Sequence, residues 1–308
     1  MDFKLDNIVH MFKSASSARS SAEEVARVAI YVDGTATPFL IETVRDALMP
    51  QSTTALVNVS RLDDDPEPVG KGTDIVLVLS CGSQHLELAT GRLLSGGAPV
   101  AVVVESSVEA PFIKQDTRML SLICATDGEH LRGQLSRWIL DHTEKDTVFA
   151  ANFPFLRETA SGRAITSSAL TNTVTGALTW PKGADFPAMT VAQLDMLLKL
   201  AGIYGKPIDR DRLYEALGVI ACAYGLRAAA RAATKNTGRA TFIVKAAIGG
   251  AGTALIGMGI CELYKRDIDY GPIDDVVDRI IEQLTEVAGV VMSAISSATG
   301  RGEEPAEA

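Results

Sequence analysis

The chain carries the segment AIGGAGTALIGMGICEL at residues 247–263, which decides how its second half packs. Five glycines fall within eleven residues of it, and Gly249, Thr253 and Gly257 recur at steps of four. A glycine costs a helix interior about 1 kcal/mol relative to alanine, and small residues offset that cost where they let another backbone approach closely. The segment therefore predicts a close-packed helical bundle. The alternative is a helical hairpin that enters or lies on a membrane.

Two further helices are predicted before this segment. Thr190 is expected to cap the first through its hydroxyl, and Gly205 with Pro207 is expected to end it, because proline cannot continue a helix. Asp209 is expected to cap the second, and a third helix is predicted over residues 240–263. The predicted apolar faces consist of Val191, Leu194, Leu197, Leu198 and Ala201 in the first helix and of Leu213, Leu217, Ile220 and Tyr224 in the second.

A family resemblance covers residues 183–266. It is carried by Gly183-Ala184-Asp185, by the run MTVAQLDMLLKLAGIYGKPIDRDRL at 189–213 and by KAAIGGAGTALIGMG at 245–259. These stretches resemble the YcjF-like domain, an uncharacterised bacterial domain that is often found behind Era-like GTPase domains. The resemblance implies a helical architecture and the company of a GTPase-type domain, and many members of the family are called membrane proteins. It implies no reaction, because the family has no established activity.

The first half of the chain has the pattern of an α/β domain. Short β-rich runs lie at residues 27–32, 54–59, 74–79, 99–104 and 119–124, and helical stretches lie at 38–49, 84–94 and 129–142. Several of the runs are almost wholly apolar, which suits strands that are covered on both faces. The alternation predicts a mostly parallel sheet of about five strands with helices on both faces, followed by an all-α bundle. The acidic loop at 62–72 is expected to be solvated.

A GTPase domain is the natural comparison for this half. A phosphate loop needs G-x-x-x-x-G-K-[ST], whose amides and lysine surround the phosphates, whereas residues 33–40 read DGTATPFL. ESSV at 105–108 stands where a guanine-reading N-K-x-D is needed, although ICATDGEHL at 123–131 resembles the late strand-end loop of Era-like GTPases, with Ala125 at the guanine contact. The sequence predicts a degenerate GTPase-like or Rossmann-like domain with its nucleotide chemistry lost, and no cofactor.

Two other chemistries are suggested by short motifs. YVDGT at 31–35 is similar to the D-x-D-G-T motif of haloacid-dehalogenase-like phosphatases, but Tyr31 stands at the nucleophile's position and cannot form an aspartyl-phosphate. Cys81 follows a predicted strand and His85 lies one turn on, so a thiol site at the carboxyl edge of the sheet is an alternative. The other candidates at that edge are Asp33, Asp127 and His130. A thiol that ends an apolar strand is usually a small buried hydrophobe, so no catalytic, cofactor-binding or metal-binding residue is predicted.

The chain divides into five predicted parts. Residues 1–14 form an amphipathic helix, 15–24 a linker, 25–145 the α/β domain, 146–297 the helical YcjF-like domain and 298–308 a disordered tail. Within the helical domain, one amphipathic helix is predicted inside 152–180, with Ile165, Leu170, Val174 and Leu178 on its apolar face. Another is predicted over 273–296, where Ile273, Val276, Val277, Ile280, Ile281, Leu284 and Val287 repeat at helical spacing. That helix can pack on the bundle or pair with another copy of the chain.

Charge and composition limit the classes of function. The 308 residues carry a net charge of −9, which argues against general nucleic-acid binding. The chain has four scattered cysteines, Cys81, Cys124, Cys222 and Cys261. They are expected to be buried thiols in a reducing cytoplasm. No secretory signal is expected, because the start MDFKLD has no basic and apolar regions.

A membrane span is possible in one place. A span needs about 20 mostly apolar residues; residues 246–263 offer 18, but only four large aliphatic residues lie within them besides Leu263. Insertion is therefore marginal. The sequence predicts a cytoplasmic, non-enzymatic interaction or scaffold protein that binds a protein partner or itself, with peripheral contact to the inner face of the cell membrane and no nucleic acid. The alternatives are a ligand sensor or enzyme around Cys81 and His85, and an integral membrane protein.

Overall fold

The computed structural model of the chain describes residues 25–177, 185–207, 209–234 and 241–266. Its first part contains the strands β1 (Ala26–Asp33), β2 (Ala55–Leu62), β3 (Ile75–Leu79), β4 (Val100–Val104) and β5 (Leu120–Cys124). They form one parallel sheet in the order β2-β1-β3-β4-β5. All five predicted strands are confirmed, and their ends differ from the prediction by three residues at most.

Helices cover both faces of the sheet. They are α1 (Pro38–Ala47), α2 (Leu86–Leu94), α3 (Gly128–His142) and the short α4 (Asp146–Asn152). One apolar core includes residues of α1 and α3, and the core on the opposite face includes residues of α2. Every residue of β3 and β4 is buried between these two cores, which explains why both strands are continuous apolar runs.

The second part consists of four long helices, α5 (Arg157–Ala177), α6 (Asp185–Ile203), α7 (Arg210–Thr234) and α8 (Thr241–Arg266). The core that covers one face of the sheet continues into these helices, from Ala26 in β1 to Tyr264 in α8. Within the first part, Asn152 ties the end of α4 to the segment before β2, because its amide donates to Thr54 at 2.9 Å and accepts from Ser52 at 2.7 Å. The predicted fold class, an α/β domain followed by a helical region, is therefore confirmed.

Helix α8 lies antiparallel to α5 at very short distance. A Cβ atom added to Gly249 would lie 2.9 Å from the carbonyl oxygen of Asn172, and one added to Gly176 would lie 2.9 Å from that of Lys245. Such a Cβ would collide with the facing backbone, so only glycine fits at these two positions. The prediction that the glycine-rich segment allows close helix packing is confirmed.

Helix α7 lies antiparallel to α8 on another side. Near the sheet, the Tyr264 hydroxyl donates to Glu215 at 2.6 Å, and further out Leu226 packs on Gly252. Gly205, with a φ of 66°, ends the helix before α7 as predicted, because the left-handed conformation suits glycine.

Three predictions for the helices are wrong. Thr190 does not cap α6, because that helix begins at Asp185 and Thr190 is fully buried inside it. On α7, Tyr224 is exposed, whereas Ala216, Val219 and Ala223 are buried, so the apolar face is rotated from the predicted one, although Ile220 packs against the core. On α6, Val191 is also exposed, although the other predicted core residues of that helix are buried.

The predicted apolar face of the helix that became α5 is also wrong for Leu170 and Val174, although Ile165 packs against the core as predicted. Leu170 is 62% exposed and Val174 is exposed too. The buried face instead carries small and polar residues at steps of four, which are Ala160, Ala164, Ser168, Asn172 and Gly176. They are small because α8 approaches this face so closely. Four predictions lie outside the described residues: the helix at 1–14, the linker at 15–24, the helix at 273–296 and the tail at 298–308. Leu178 lies outside them as well.

Candidate functional site

The carboxyl ends of β1 and β3 meet where the strand order reverses, the place at which doubly wound sheets bind ligands. Asp33 ends β1 and is almost completely buried there. Its carboxylate accepts hydrogen bonds from Ser80 Oγ at 2.8 Å, from the amide of Thr35 at 3.1 Å and from the Ser83 hydroxyl. The side chain therefore ties the loop after β1 to the loop after β3.

Asp33 is an ionised carboxylate in this setting. Burial alone raises its pKa, but the hydrogen bonds from Ser83, Ser80 and the Thr35 amide, together with His85, lower the pKa below its ordinary value. The ionised form of the carboxylate is stabilised mainly by the dipoles of neutral hydroxyl and amide groups. The carboxylate is therefore held in place by the protein, and most of its hydrogen-bonding positions are already occupied by protein donors.

More carboxylates line the next strand end. Glu105 follows β4 and accepts a hydrogen bond from the Thr37 hydroxyl, the N-cap of α1. The Glu109 carboxylate accepts from the amides of Glu105 at 3.0 Å and Ser106 at 3.3 Å. Within the described ranges, no lysine or arginine forms an ion pair with Asp33, Glu105 or Glu109. An edge of this charge repels phosphate groups, since like charges at short distance are unfavourable.

Cys81 and His85 do not form a nucleophile and base. Burial raises the pKa of the Cys81 thiol, and the nearby Glu109 and Glu105 raise it further. The His85 ring faces carboxylates instead: Nε2 lies 3.8 Å from Asp33 and Nδ1 lies 3.7 Å from Asp64. Cys81 therefore stays a thiol at neutral pH, whereas a nucleophilic cysteine needs a lowered pKa.

The remaining sequence candidates have structural roles. Asp127 caps α3, because its carboxylate accepts from the amides of Glu129 and His130 at 3.0 and 2.9 Å. The His130 ring contacts Gln134 on the same helix at 2.7 Å. Tyr31 is buried, and its hydroxyl donates to the Glu67 carbonyl at 2.8 Å, which anchors the acidic loop at 62–72. The structure thus brings Asp33 and His85 together and leaves Asp127 and His130 on α3.

Among the described residues, no group of three or more histidine, cysteine or carboxylate side chains is arranged to hold a metal ion. The prediction that all four cysteines are buried is wrong, because Cys222 on α7 is exposed; Cys81 and Cys124 are half-buried and Cys261 is buried.

A second candidate site is a surface of the α7–α8 pair. Glu215 and Glu262 are the acidic residues that bound residues 216–261, a run of 46 residues without aspartate or glutamate. The five basic residues in this run are Arg227, Arg231, Lys235, Arg239 and Lys245. They lie in the outer half of α7, between the helices in the chain, and in the first turns of α8. The distal end of the α7–α8 pair, the name used here for residues 227–245, is therefore cationic in a chain of net charge −9.

Exposed apolar side chains accompany these cations. Phe242 and Ile243, in the first turn of α8, are 52% and 57% exposed. Tyr224 of α7 is exposed as well. The helix Phe242–Arg266 is long and apolar enough to cross a membrane, with a mean hydropathy of 1.6, yet only 33% of its most apolar stretch is buried. A core helix of a globular protein would be mostly buried, so this surface calls for an explanation.

Comparisons with known proteins give no identification. No protein-family model, no curated protein and no solved structure matches the chain. The resemblance to the YcjF-like family and to GTPase-type domains stays a prediction. The architecture is established by the strand order and helix packing described above.

Proposed function

We propose that this protein is a non-enzymatic interaction protein that attaches peripherally to an anionic lipid surface, at the inner face of the cell membrane. The attachment site is the distal end of the α7–α8 pair. The observation that carries the proposal is the coincidence of five basic residues, no acidic residue and exposed Phe242 and Ile243 in one stretch of chain. Basic side chains beside exposed aromatic and aliphatic ones are typical of segments that lie in a membrane interface.

The position of this end suits a surface contact. The contacts of Glu215 with Tyr264 and of Leu226 with Gly252 make α7 and α8 antiparallel. Gly176 at the end of α5 packs on Lys245 at the start of α8, whereas α5 begins beside the sheet at Arg157. The 21 residues of α5 rise about 30 Å at 1.5 Å per residue. Lys245 at the start of α8 therefore lies far from the acidic edge of the sheet.

The magnitudes favour a reversible attachment. A lysine or arginine near an anionic membrane contributes about 1 kcal/mol, and burying apolar side chains adds about 25 cal/mol per Å². Five cations and two exposed apolar side chains in one stretch of chain are enough for a salt-sensitive association. The net charge of the chain does not cancel this attraction, because charges further than a Debye length of about 8 Å are largely screened.

A peripheral attachment is favoured over a span. Helix α8 packs along the length of α5 through Gly249 and Gly257. The outward side of α5 carries Arg163, Thr166 and Ser167, which are exposed. Spanning α8 would carry this polar helix into lipid, where an arginine at the bilayer centre costs about 2.5–3.5 kcal/mol by insertion measurements.

The ligand-sensor or enzyme alternative around Cys81 and His85 has less support. The raised pKa of the Cys81 thiol and the carboxylates Glu105 and Glu109 both oppose a reactive thiolate there. A protein partner or self-association of the chain is compatible with the same surface and stays a prediction.

Vesicle binding tests the proposal. Full-length protein is sedimented with vesicles of phosphatidylcholine alone and with vesicles that also contain phosphatidylglycerol, at low and high salt. We expect binding to the anionic vesicles only, and weaker binding at high salt. Replacing both Lys235 and Arg239 by glutamate removes two attractions of about 1 kcal/mol each, so binding should weaken by about 30-fold or more.

A matched control separates this effect from net charge. The double variant Lys114→Glu with Arg118→Glu changes the net charge by the same amount, on an exposed loop near β5. It should leave vesicle binding within about twofold, because charges more than a Debye length from the membrane are largely screened. Equal binding to neutral and anionic vesicles, or equal loss of binding in both charge variants, would contradict the proposal. Binding to a nucleic acid in preference to vesicles would do so as well.

A further inference from the structure

The outer side of α8 is an unpartnered apolar face. Ala247, Ala251, Leu255 and Met258 lie along it and are exposed, Leu255 to 65%. The first charged residue on this side toward the end of the helix is Glu262. Helix α5 contacts α8 through Gly249, Gly250 and Gly257, and α7 contacts it through Gly252, so both neighbours occupy other sides of the helix. The outer face of α8, as these four residues are called here, has no partner among the described residues.

We propose that the outer face of α8 is the docking surface for the chain's own segment 273–296. This segment lies outside the described residues, and its sequence carries the helical apolar pattern given above. It starts seven residues after Arg266, the last residue of α8. Helices joined by so short a connection are usually antiparallel neighbours, so the segment would run back along α8.

Length and side-chain size support this occupant. Helix α8 has 26 residues, which is about 39 Å. The segment 273–296 has 24 residues, which as a helix is about 36 Å. The segment presents Ile280, Ile281 and Leu284 in its middle, and in an antiparallel arrangement its middle faces the part of α8 that carries Leu255 and Met258. The two helices are therefore matched in length, and their large apolar side chains lie at corresponding positions.

Charge supports the same occupant. Residues 267–308 contain ten acidic residues and two basic ones, so this part carries a net charge of −8 out of −9 for the chain. Residues 216–261 contain five basic residues and no acidic ones. An acidic amphipathic segment therefore meets no like charge along residues 216–261.

This inference goes beyond the proposed function and does not rest on it. The lipid surface is proposed to contact the distal end of the α7–α8 pair, at residues 227–245. The segment is proposed to cover Ala247, Ala251, Leu255 and Met258, which lie between that end and the sheet. Each can be tested in the absence of the other.

Thiol protection without lipid tests the docking. Leu255→Cys and Leu170→Cys are made separately in the full chain, and labelling is followed by mass spectrometry of the peptides, with the exposed native Cys222 as an internal reference. Leu170 is 62% exposed and Leu255 is 65% exposed, so the two sites are matched in the described structure. We expect labelling at position 255 to be at least about tenfold slower than labelling at position 170, because modification then requires local opening.

Two further variants identify the occupant. Ile280→Asp with Ile281→Asp should bring the labelling rate at position 255 to within about twofold of the rate at position 170, because charged residues cannot be buried on an apolar face without a large cost. Ile8→Asp with Val9→Asp, in the other amphipathic segment outside the described residues, should leave the protection intact.

Three results would overturn the inference. They are equal labelling at positions 255 and 170, protection released by the variant at Ile8 and Val9 in place of the one at Ile280 and Ile281, and protection that increases with protein concentration. The last result would identify a second copy of the chain as the occupant.

Discussion

Two buried carboxylates, one in each half of the molecule, show how differently the halves use polar groups. Asp33 is 3% exposed and accepts hydrogen bonds from hydroxyls and an amide within the sheet edge. Glu215 is 8% exposed, and its carboxylate pairs with Arg212 at 2.8 Å and accepts from the Tyr264 hydroxyl at 2.6 Å. Asp33 connects the loop after β1 to the loop after β3, whereas Glu215 connects helix α7 to helix α8.

The charged contacts between α7 and α8 lie at one end of the helical half. The contacts among Arg212, Glu215 and Tyr264 fasten α7 to α8 at the end that lies beside the sheet, and Arg212 also stacks over the Tyr264 ring at 5.0 Å. Toward the distal end, the contact of Leu226 with Gly252 is apolar and made by a flexible side chain. The charged contacts of the α7–α8 pair thus lie at the end beside the sheet, and the exposed Phe242 and Ile243 lie toward the other end.

The largest expected effect is the loss of Glu215. Glu215→Leu leaves the buried guanidinium of Arg212 without its closest carboxylate, since Asp209 and Asp211 lie 3.7 and 3.9 Å away. Breaking a buried ion pair by removing one partner costs about 3–5 kcal/mol. We expect the free energy of unfolding to fall by about that amount in urea titrations.

The matched control for this variant is Glu262→Leu on the exposed side of α8. Glu262 pairs with Arg266 at 2.9 Å, but both side chains are more than half exposed. An exposed pair of this kind contributes about 0.3–0.5 kcal/mol. Equal losses in the two variants would show that burial does not distinguish the two ion pairs, which would break the comparison.

The next effect concerns Asp33 and has a pH dependence. Asp33→Asn removes the charge from hydrogen bonds of a kind that contribute about 1.5–3 kcal/mol each, so we expect a loss of about 2 kcal/mol at neutral pH. Because the folded pKa of Asp33 is lowered, its contribution is present above the unfolded pKa near 3.8 and is lost as the pH falls through the folded pKa.

Urea titrations at neutral pH and near pH 3 test that sign. The stability difference between wild type and Asp33→Asn should shrink as the pH falls. Asp63→Asn is the control, because Asp63 forms an exposed pair with Arg61 and such pairs contribute about 0–1 kcal/mol. A difference that is constant with pH would mean that the charge of Asp33 is not what its hydrogen-bond donors stabilise.

The sheet was predictable from the sequence for a physical reason. Strands buried on both faces, such as β3 and β4, must be continuous apolar runs, and the carboxyl ends of parallel strands share one edge. Asp33 and His85 could therefore be placed at the same edge. Ser80, Ser83 and Thr35, which hold the Asp33 carboxylate, were missed because a hydroxyl at a strand end gives no periodic signal.

The helices were predicted less well, because their packing depends on small residues. The buried face of α5 includes Ala164, Ser168 and Asn172, and an apolar pattern points instead to Leu170 and Val174, which are exposed. Thr190 suggested a helix start, but α6 begins at Asp185 and accommodates Pro187 in its first turn. The sequence also shows that residues 216–261 contain no acidic residue, but the negative net charge of the whole chain drew attention away from this local basic stretch.

The third prediction concerns uncharged hydrogen bonds that connect the helices through Thr253. Thr253 is fully buried, and its hydroxyl accepts from Asn172 Nδ2 at 2.8 Å and Gln193 Nε2 at 3.0 Å. Thr253→Val keeps the shape but leaves two buried amide groups without this acceptor, and each buried unsatisfied group costs about 1–3 kcal/mol. We expect a loss of about 2 kcal/mol in urea titrations, and a loss below that of Glu215→Leu, because no charge is stranded.

The smallest expected effects come from glycine substitutions in α8, which compare the side that faces α5 with the side that faces α7. Gly249→Ala places a methyl group 2.9 Å from the backbone oxygen of Asn172, which cannot move without shifting α5. Overpacking of this kind costs about 1–3 kcal/mol, while the gain in helix propensity returns about 1, so we expect a net loss of about 1 kcal/mol. Gly252→Ala meets only the end of the Leu226 side chain, at 2.5 Å, and that side chain can adopt another rotamer. Its net effect should be near zero, because the propensity gain of about 1 kcal/mol offsets the repacking.

Gly259→Ala completes this series, because nothing lies within 4 Å of the added methyl group. It should raise the free energy of unfolding by about 1 kcal/mol through helix propensity alone. The predicted order of stability in thermal or urea unfolding is therefore Gly259→Ala above Gly252→Ala above Gly249→Ala. If Gly252→Ala were as damaging as Gly249→Ala, the α7–α8 contact would be as tightly packed as the α5–α8 contact. Helix α7 would then be held to α8 at Gly252 as firmly as it is held beside the sheet by its ion pair, and the contrast between the two ends of the α7–α8 contact would be lost.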